Sequence, residues 1–368
     1  MITRVYADNF RCLVNFELRL DRLNLLMGAN GTGKSSVFDV VRNLQSFLAG
    51  DGRTTELFPA QERTQWVQSA FQRFELGLDI SGAAYRYGLT IEHADASKSR
   101  VQEETLAVDG KPLFSSRDGE AQLFYDNHTP GPSVSFDSER SGVGIVPAGS
   151  DHTRLATFRR EMDKIVIASI APFQMESLSR AESPRLSRRM ENFVSWLRRL
   201  SHEHLEAMLE VFEQLKQVLP GFRSFRLLEA GEDSKEMKVV FDHPDDSRKS
   251  FSLDFRQLSD GQRAMIALYT LIHGLRNERL TLLLDEPDNY VSLREIQPWL
   301  TSLEDACGEQ FEQAVLISHH PEIINYLGSS SGRWFSRAET GYVLVQPQSL
   351  APTNGLSLSE TIARGWEG

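Results

Sequence analysis

Cysteine is nearly absent from this chain. Cys12 and Cys307 are the only two and stand far apart, which excludes a disulfide framework and a cysteine-built zinc site. Long hydrophobic runs are missing as well, for nothing approaches the roughly 20 apolar residues of a membrane-spanning helix. The opening MITRVYADNFRCL places charges where a secretory leader needs an apolar core, so the expected location is the cytoplasm and no membrane partner is expected. No internal repeat is visible, nor a heptad array of coiled-coil length. Positive charge is in deficit, the formal net charge being −11, which disfavours nonspecific attraction to nucleic acid. One stretch departs from this. From Arg154 to Arg199 ten Lys/Arg, Arg188 and Arg189 among them, stand against five Asp/Glu. That surplus reads either as a patch that meets a phosphate backbone or as a solvated helix face.

A hydrophobic content of 40% and a charged content of 25% are those of a soluble globular protein. At 368 residues the chain exceeds the usual single-core size, so a two-lobed domain or two domains are expected. The first third reads as strands: LNLLMG is short and apolar, and FELGLDI, YRYGLTI and EETLAV alternate with period two. Between them SSVFDVVRNLQSFL gathers Val37, Val40, Val41, Leu44, Phe47 and Leu48 on one helical face. Residues 109–149, rich in Gly, Pro, Ser and Asp, read as loops and edge hairpins. Ser187 to Leu219 carries a helical pattern long enough for a helical hairpin, stopped by Pro220–Gly221. Strands and helices then alternate to AVLISHH, which predicts an α/β fold containing a parallel sheet with crossovers.

Gly28-Ala-Asn-Gly-Thr-Gly-Lys34-Ser35 fits the pattern GxxxxGK[ST], with a strand before it and an amphipathic helix after it. Glycines let the backbone curl until several N–H groups face one phosphate, and the helix N-terminus adds a favourable dipole. Asn30, Gly31, Thr32, Gly33, Lys34, Ser35 and Ser36 are therefore the candidate nucleotide-binding residues. Lys34 would neutralise the β/γ-phosphates, and the Ser35 hydroxyl would ligate Mg²⁺. Leu280-Thr-Leu-Leu-Leu-Asp285-Glu286 is a second signal, an apolar strand that delivers two carboxylates at its C-terminal end. Asp285 suits Mg²⁺, and Glu286, one residue later, suits a general base for water attacking the γ-phosphate. In Leu258-Ser259-Asp260-Gly261-Gln262, Ser259 is a plausible N-cap of the following helix, whose first N–H groups form an anion site.

The order of these segments, ending in AVLISHH, resembles the ATP-binding-cassette (ABC) ATPases. The resemblance implies an ABC-ATPase head with a P-loop sheet, an antiparallel β subdomain and a helical lobe. It divides the chain into 1–150 (first part of the ATPase lobe), 151–257 (helical lobe), 258–345 (signature, Walker B and switch segments) and 346–368 (tail). It further implies ATP and Mg²⁺ as cofactors and a homodimer, or higher homo-oligomer, of facing heads. In such a pair Ser259, Gly261 and Gln262 of one copy meet the γ-phosphate held by the other. His319, with His320 as the alternative, resembles the switch histidine, and Gln174 in IAPFQMES the Q-loop ligand of Mg²⁺. Asp288-Asn289 sits where the family has its D-loop, without the usual Ser-Ala-Leu-Asp. The long separation of Ser35 from Ser259 is unlike transporter cassettes. Asp8-Asn9-Phe10-Arg11-Cys12-Leu13 and DEPDNYVSLREIQPWL are similar instead to RecF-like and OLD-like ATPases, including those of bacterial anti-phage loci. OLD proteins carry a Toprim nuclease domain, for which the 48 residues after His320 are too few.

Three readings follow from the resemblance. ATP-driven closure of two heads can control a separately encoded effector protein. The dimer can instead be a scaffold that holds ATP with little turnover and restrains a toxin or nuclease. Or the chain is a RecF-like repair protein that binds double-stranded DNA through residues such as Arg188 and Arg189.

Overall fold

The computed structural model describes residues 1–95, 97–147, 149–275, 278–339, 341–347 and 355–365; the remainder of the tail expected at 346–368 lies outside them. The chain opens with β1 (Ile2–Asp8), β2 (Phe16–Arg19) and β3 (Leu23–Gly28), then α1 (Lys34–Ala49) and α2 (Thr54–Leu57). Six strands follow: β4 (Phe71–Ile80), β5 (Ala83–His93), β6 (Ser99–Val108), β7 (Lys111–Arg117), β8 (Glu120–Phe124) and β9 (Pro130–Ser135). After α3 (Gly142–Ile145) and α4 (Thr153–Asp163), β10 (Ile165–Ser169) and β11 (Leu178–Ser179) lead to α5 (Phe193–Glu203) and α6 (Leu205–Val218). Three strands, β12 (Phe222–Glu229), β13 (Lys235–His243) and β14 (Asp246–Asp254), precede α7 (Asp260–His273), β15 (Thr281–Asp285), α8 (Leu293–Ala306) and β16 (Gln313–Ile317). The chain continues through α9 (Pro321–Ser331), β17 (Gly332–Arg337), β18 (Val343–Pro347) and α10 (Leu358–Ala363).

These elements form two compact units. The first comprises Met1–Asp21, Leu26–Ile165 and Arg333–Gln348. Its frame is an antiparallel sheet in the order β2-β1-β4-β5-β6-β7-β8-β9. Alternate residues of β4 and β5 are buried, as period-two sequences require of a sheet with one covered face. Helix α1 buries Val37, Val40, Val41, Leu44 and Leu48, the face expected from the sequence. The edge hairpins expected within 109–149 are present. Asp109–Gly110 and Asp118–Gly119 all have positive φ (49°, 76°, 50° and 86°), so the turn formers make tight hairpins that extend the sheet through β7 and β8. Glu104 is fully buried and accepts hydrogen bonds from Tyr87 Oη (2.8 Å), Ser141 Oγ (2.6 Å) and Gly142 N (2.7 Å). Burial raises its carboxyl pKa, and these donors oppose the shift.

His93 is buried at the end of β5, and its Nε2 lies 2.9 Å from Gln72 Oε1. Gln72 Oε1 can only accept, so Nε2 carries the proton. Burial lowers the His93 pKa from 6.5 to about 4, with the Arg63 charge adding to the shift. The folded protein thus holds this ring neutral while the unfolded chain binds a proton below pH 6.5. Stability should fall as pH drops from 6.5 towards 4, by at most about 3 kcal/mol from this group. Urea melts at pH 7.5 and pH 5 test this; the difference should shrink in His93→Gln, and an unchanged slope would show that other groups set it.

The second unit comprises Arg22–Leu25, Val166–Gly332 and Ser349–Gly368. Its strands run in the order β10-β15-β16 and on to the start of β3, where Ala314 N donates to Arg22 O (2.9 Å). β15 and β16 are parallel, with Asp285 opposite Ile317, and every residue of both except Asp285 is buried. That double-sided burial explains their unbroken apolar sequences. The helical pattern of Ser187–Leu219 divides at His204 into α5 and α6, with residues 187–192 outside both helices. β12, β13 and β14 form an antiparallel meander, and α7 is buried at every residue from Ala264 to His273. Among the described residues no helix is long and apolar enough to cross a membrane.

Candidate functional site

In the first unit β3 ends at Gly28, and the chain turns through Gly31 and Gly33 into α1, with φ of 136°, 76° and 93° at the three glycines. These angles belong to glycine, which explains the spacing of the motif. A Cβ on Gly33 would lie 2.8 Å from Cys12 Sγ and 3.1 Å from Leu13, so the turn after β1 packs directly beneath the loop. Lys34 is buried and folds back over the loop, its Nζ donating to Gly28 O (2.7 Å) and Ala29 O (2.9 Å). Thr32 Oγ1 donates to Ala29 O (2.8 Å), while Asn30 and Gly31 are exposed. α1 has neither a side-chain cap nor an acidic residue in its first turn, which carries Lys34, Ser35 and Ser36. Such a helix start attracts an anion. One turn further, Asp39 is buried and pairs with Arg11 and, at 3.2 Å, with Arg42; Arg11 also reaches Glu62 Oε1 (2.6 Å). Asn9 accepts from Thr64 N (3.0 Å) and donates to Phe71 O (2.8 Å). The segment Asn9–Leu13 is thus the mechanical base of the loop, a role its sequence did not reveal.

In the second unit Asp285 and Glu286 stand at the end of β15. Glu286 has φ 49°, its N–H donates to Ile317 O (2.9 Å), and its Oε2 accepts from Asn289 Nδ2 (2.8 Å). A non-glycine residue in the left-handed region is strained, a condition that concentrates at functional sites. Asp288 is buried, and its Oδ1 has no hydrogen-bond partner among the described residues. Burial raises its pKa, against the Ser318 hydroxyl, which bonds to the carboxylate, and the nearby His320. Ser318 Oγ in turn accepts from His320 N (3.0 Å). The two adjacent histidines differ in what they do. His320 Nδ1 accepts from Glu322 N (3.2 Å) and caps α9, whose first residue is Pro321, whereas His319 is exposed.

Ser259 caps α7: its Oγ accepts from Gln262 N (3.2 Å), and Gln262 Oε1 accepts from Ser259 N (3.0 Å). A Cβ on Gly261 would make a tight contact, 3.0 Å from Tyr290 O, in the segment after the carboxylates. The tip of α7 and the loop Asp288–Tyr290 are therefore neighbours. Gln174 ends a short 3₁₀ turn (Pro172–Gln174), and Arg263 of α7 donates to Pro172 O (2.6 Å). Gln174, the tip of α7 and the Asp288–Tyr290 loop thus form a connected set within this unit. The basic stretch is not one helix face. It runs through α4, β10, an irregular segment and α5, and several of its charges meet partners: Arg199 reaches Glu203 (2.9 Å), Arg198 the carbonyl of Asp233 (3.0 Å), and Arg188 lies 3.8 Å from Asp285.

The oxygen donors Ser35, Gln174 and Asp285 are chemically suited to Mg²⁺, which prefers hard ligands and completes its shell with phosphates and water. Among the described residues no cluster of three or more His, Cys, Asp or Glu side chains is placed to hold a metal by itself. A Mg²⁺ carried in with phosphates requires only one or two carboxylates.

A family profile described as "AAA domain, putative AbiEii toxin, Type IV TA system" matches residues 23–325. Among solved structures the chain resembles an SMC head domain from Thermotoga maritima (13% identity, TM-score 0.52, covering 95% of this chain and 99% of that one). It also resembles an SmcHead bound to the C-winged helix domain of ScpA (13%, 0.53, 95% and 98%). A third is an Smc head domain with an extended coiled coil, bound to the C-terminal domain of ScpA derived from Pyrococcus furiosus (12%, 0.50, 100% and 98%). A search of curated proteins found no match.

Proposed function

From the premise that this chain belongs to the family described as "AAA domain, putative AbiEii toxin, Type IV TA system", with the head fold of the RecF/SMC branch of ABC-type ATPases, we propose that it binds and hydrolyses ATP between two copies of itself. The observation that carries the reading is the glycine-bent loop at the head of α1 with Lys34 folded over it. Asn30 to Ser36 cradle the phosphates through backbone N–H groups, and Lys34 exchanges its two carbonyl partners for phosphate oxygens. Ser35, Asp285 and Gln174 would hold Mg²⁺, which would supply positive charge to offset that of the phosphates. Glu286 accepts the proton of the attacking water, and His319 donates to the γ-phosphate, since His320 is committed to capping α9. Ser259, Gly261 and Gln262 of the second copy present the start of α7 to the same phosphate.

ATP-driven closure of the pair acts on a separately encoded effector in bacterial anti-phage defence. The Smc heads solved with ScpA domains bound favour a head that works through a protein. Direct binding of double-stranded DNA is the weaker alternative, because Arg188, one of the basic residues it invokes, lies against Asp285. The test is the oligomeric state by light scattering. With ATP and Glu286→Gln the protein should run as a dimer, and Ser259→Arg should weaken that dimer at least about 100-fold, as expected for the loss of a central interface contact. A monomer that turns over ATP at the full rate would refute the shared site.

A further inference from the structure

Arg188 is set apart from the rest of the basic stretch by its surroundings. Its Nη2 lies 3.8 Å from Asp285 Oδ2, and the two side chains are 32% and 14% exposed. Its backbone is fixed, because Arg188 O accepts from Ser169 N (2.7 Å) on β10, the strand beside β15. The residues around it are fastened to the start of α5: Asn192 Oδ1 accepts from Ser187 N (2.8 Å), and Asn192 Nδ2 donates to Ser183 Oγ (2.8 Å) and Arg185 O (2.8 Å). Asp285 shares its neighbourhood in the chain with two more acids, Glu286 and Asp288. A half-buried carboxylate in such company is costly without a cation.

We infer that Arg188 is the internal counter-cation of Asp285, neutralising it before the cation arrives and displaced from it when Mg²⁺ and nucleotide bind; the inference rests on the assignment of Asp285 to Mg²⁺. A guanidinium and a divalent cation repel each other, so one carboxylate oxygen cannot hold both cheaply. Displacement of the Arg188 side chain acts first on residues 183–192 and so on the start of α5. Residues 183–192 then read nucleotide state. Arg188 is a positioning residue, and its contribution differs between the two states of the site.

The test compares melting temperatures of the whole protein with and without Mg²⁺ and the non-hydrolysed analogue AMP-PNP. Without ligand, Arg188→Gln should melt about 2 °C below wild type, as losing an ion pair worth about one hydrogen bond predicts. Arg188→Lys should stay near wild type, and Arg188→Gln/Asp285→Asn should match Asp285→Asn alone. With ligand the Arg188→Gln deficit should vanish. An equal deficit in both states, or none in the ligand-free state, overturns the inference. Should Arg188→Gln fail to fold, a further loss in the double variant relative to Asp285→Asn overturns it instead. Lys34→Ala separates the two levels of argument: if it gains as much from Mg²⁺ and AMP-PNP as wild type does, the nucleotide assignment itself fails, whatever Arg188 does.

Discussion

Glu286→Gln should lower the rate of phosphate release from ATP about 10²–10⁴-fold, the usual worth of a positioned general base, while nucleotide affinity stays within about threefold of wild type. Glutamine is isosteric with glutamate and keeps the oxygen that accepts from Asn289 Nδ2, so the local fold has no reason to change. The backbone at residue 286 is pinned by Ile317 O and held at φ 49°, so its conformation is fixed by the strand end rather than by the side chain's chemistry. What the substitution removes is the ability to take a proton. Steady-state phosphate release together with equilibrium binding of a fluorescent nucleotide decides the matter: turnover near the wild-type rate would show that another group, or none, is the base.

Gly28→Ala should be the most damaging small substitution in the phosphate loop. At φ 136° an L side chain is strained, and the added Cβ would stand 2.1 Å from the carbonyl oxygen of Phe335 on β17. A backbone oxygen cannot swing aside as a side chain does, so β3 and β17 must separate. The expected loss is about 3 kcal/mol or more, seen as a melting point lower by about 5 °C or as insoluble protein. Gly31→Ala is the matched comparison. Its φ is 76°, but nothing lies within 4 Å of the new methyl group, so the cost is that of the left-handed conformation alone, about 1–2 kcal/mol. If the two variants melt alike, the close approach of β17 does not govern the rigidity of the loop.

Some of this was legible in the sequence because local chemistry dictates it. A strand, a glycine-bent loop and a helix with Lys34 and Ser35 in its first turn form one continuous segment, and so does an apolar strand ending in Asp285-Glu286. Asp109–Gly110 and Asp118–Gly119 carried enough information to predict tight hairpins, since both residues of such a turn must tolerate positive φ. That His320 caps α9 was also readable. Proline favours the first position of a helix, which places the preceding residue, His320, at the cap. The pairing of Arg188 with Asp285 and the contact of Asn9 with Thr64 were not readable, because they join residues far apart in the chain. Charge counting treated residues 154–199 as one surface, whereas folding distributes them over helices, a strand and an irregular segment, each with its own partners.

The reciprocal cap at the start of α7 has a consequence for association. Ser259 and Gln262 pair with each other in the single chain, so these two residues must give up an internal partner before they engage another molecule. Under the proposed shared site, a second copy would become attractive only when it carries a triphosphate able to outcompete that internal pairing. Copies lacking nucleotide should then drift past one another even when crowded, and assembly becomes a report on what the loop holds rather than on how many molecules are present.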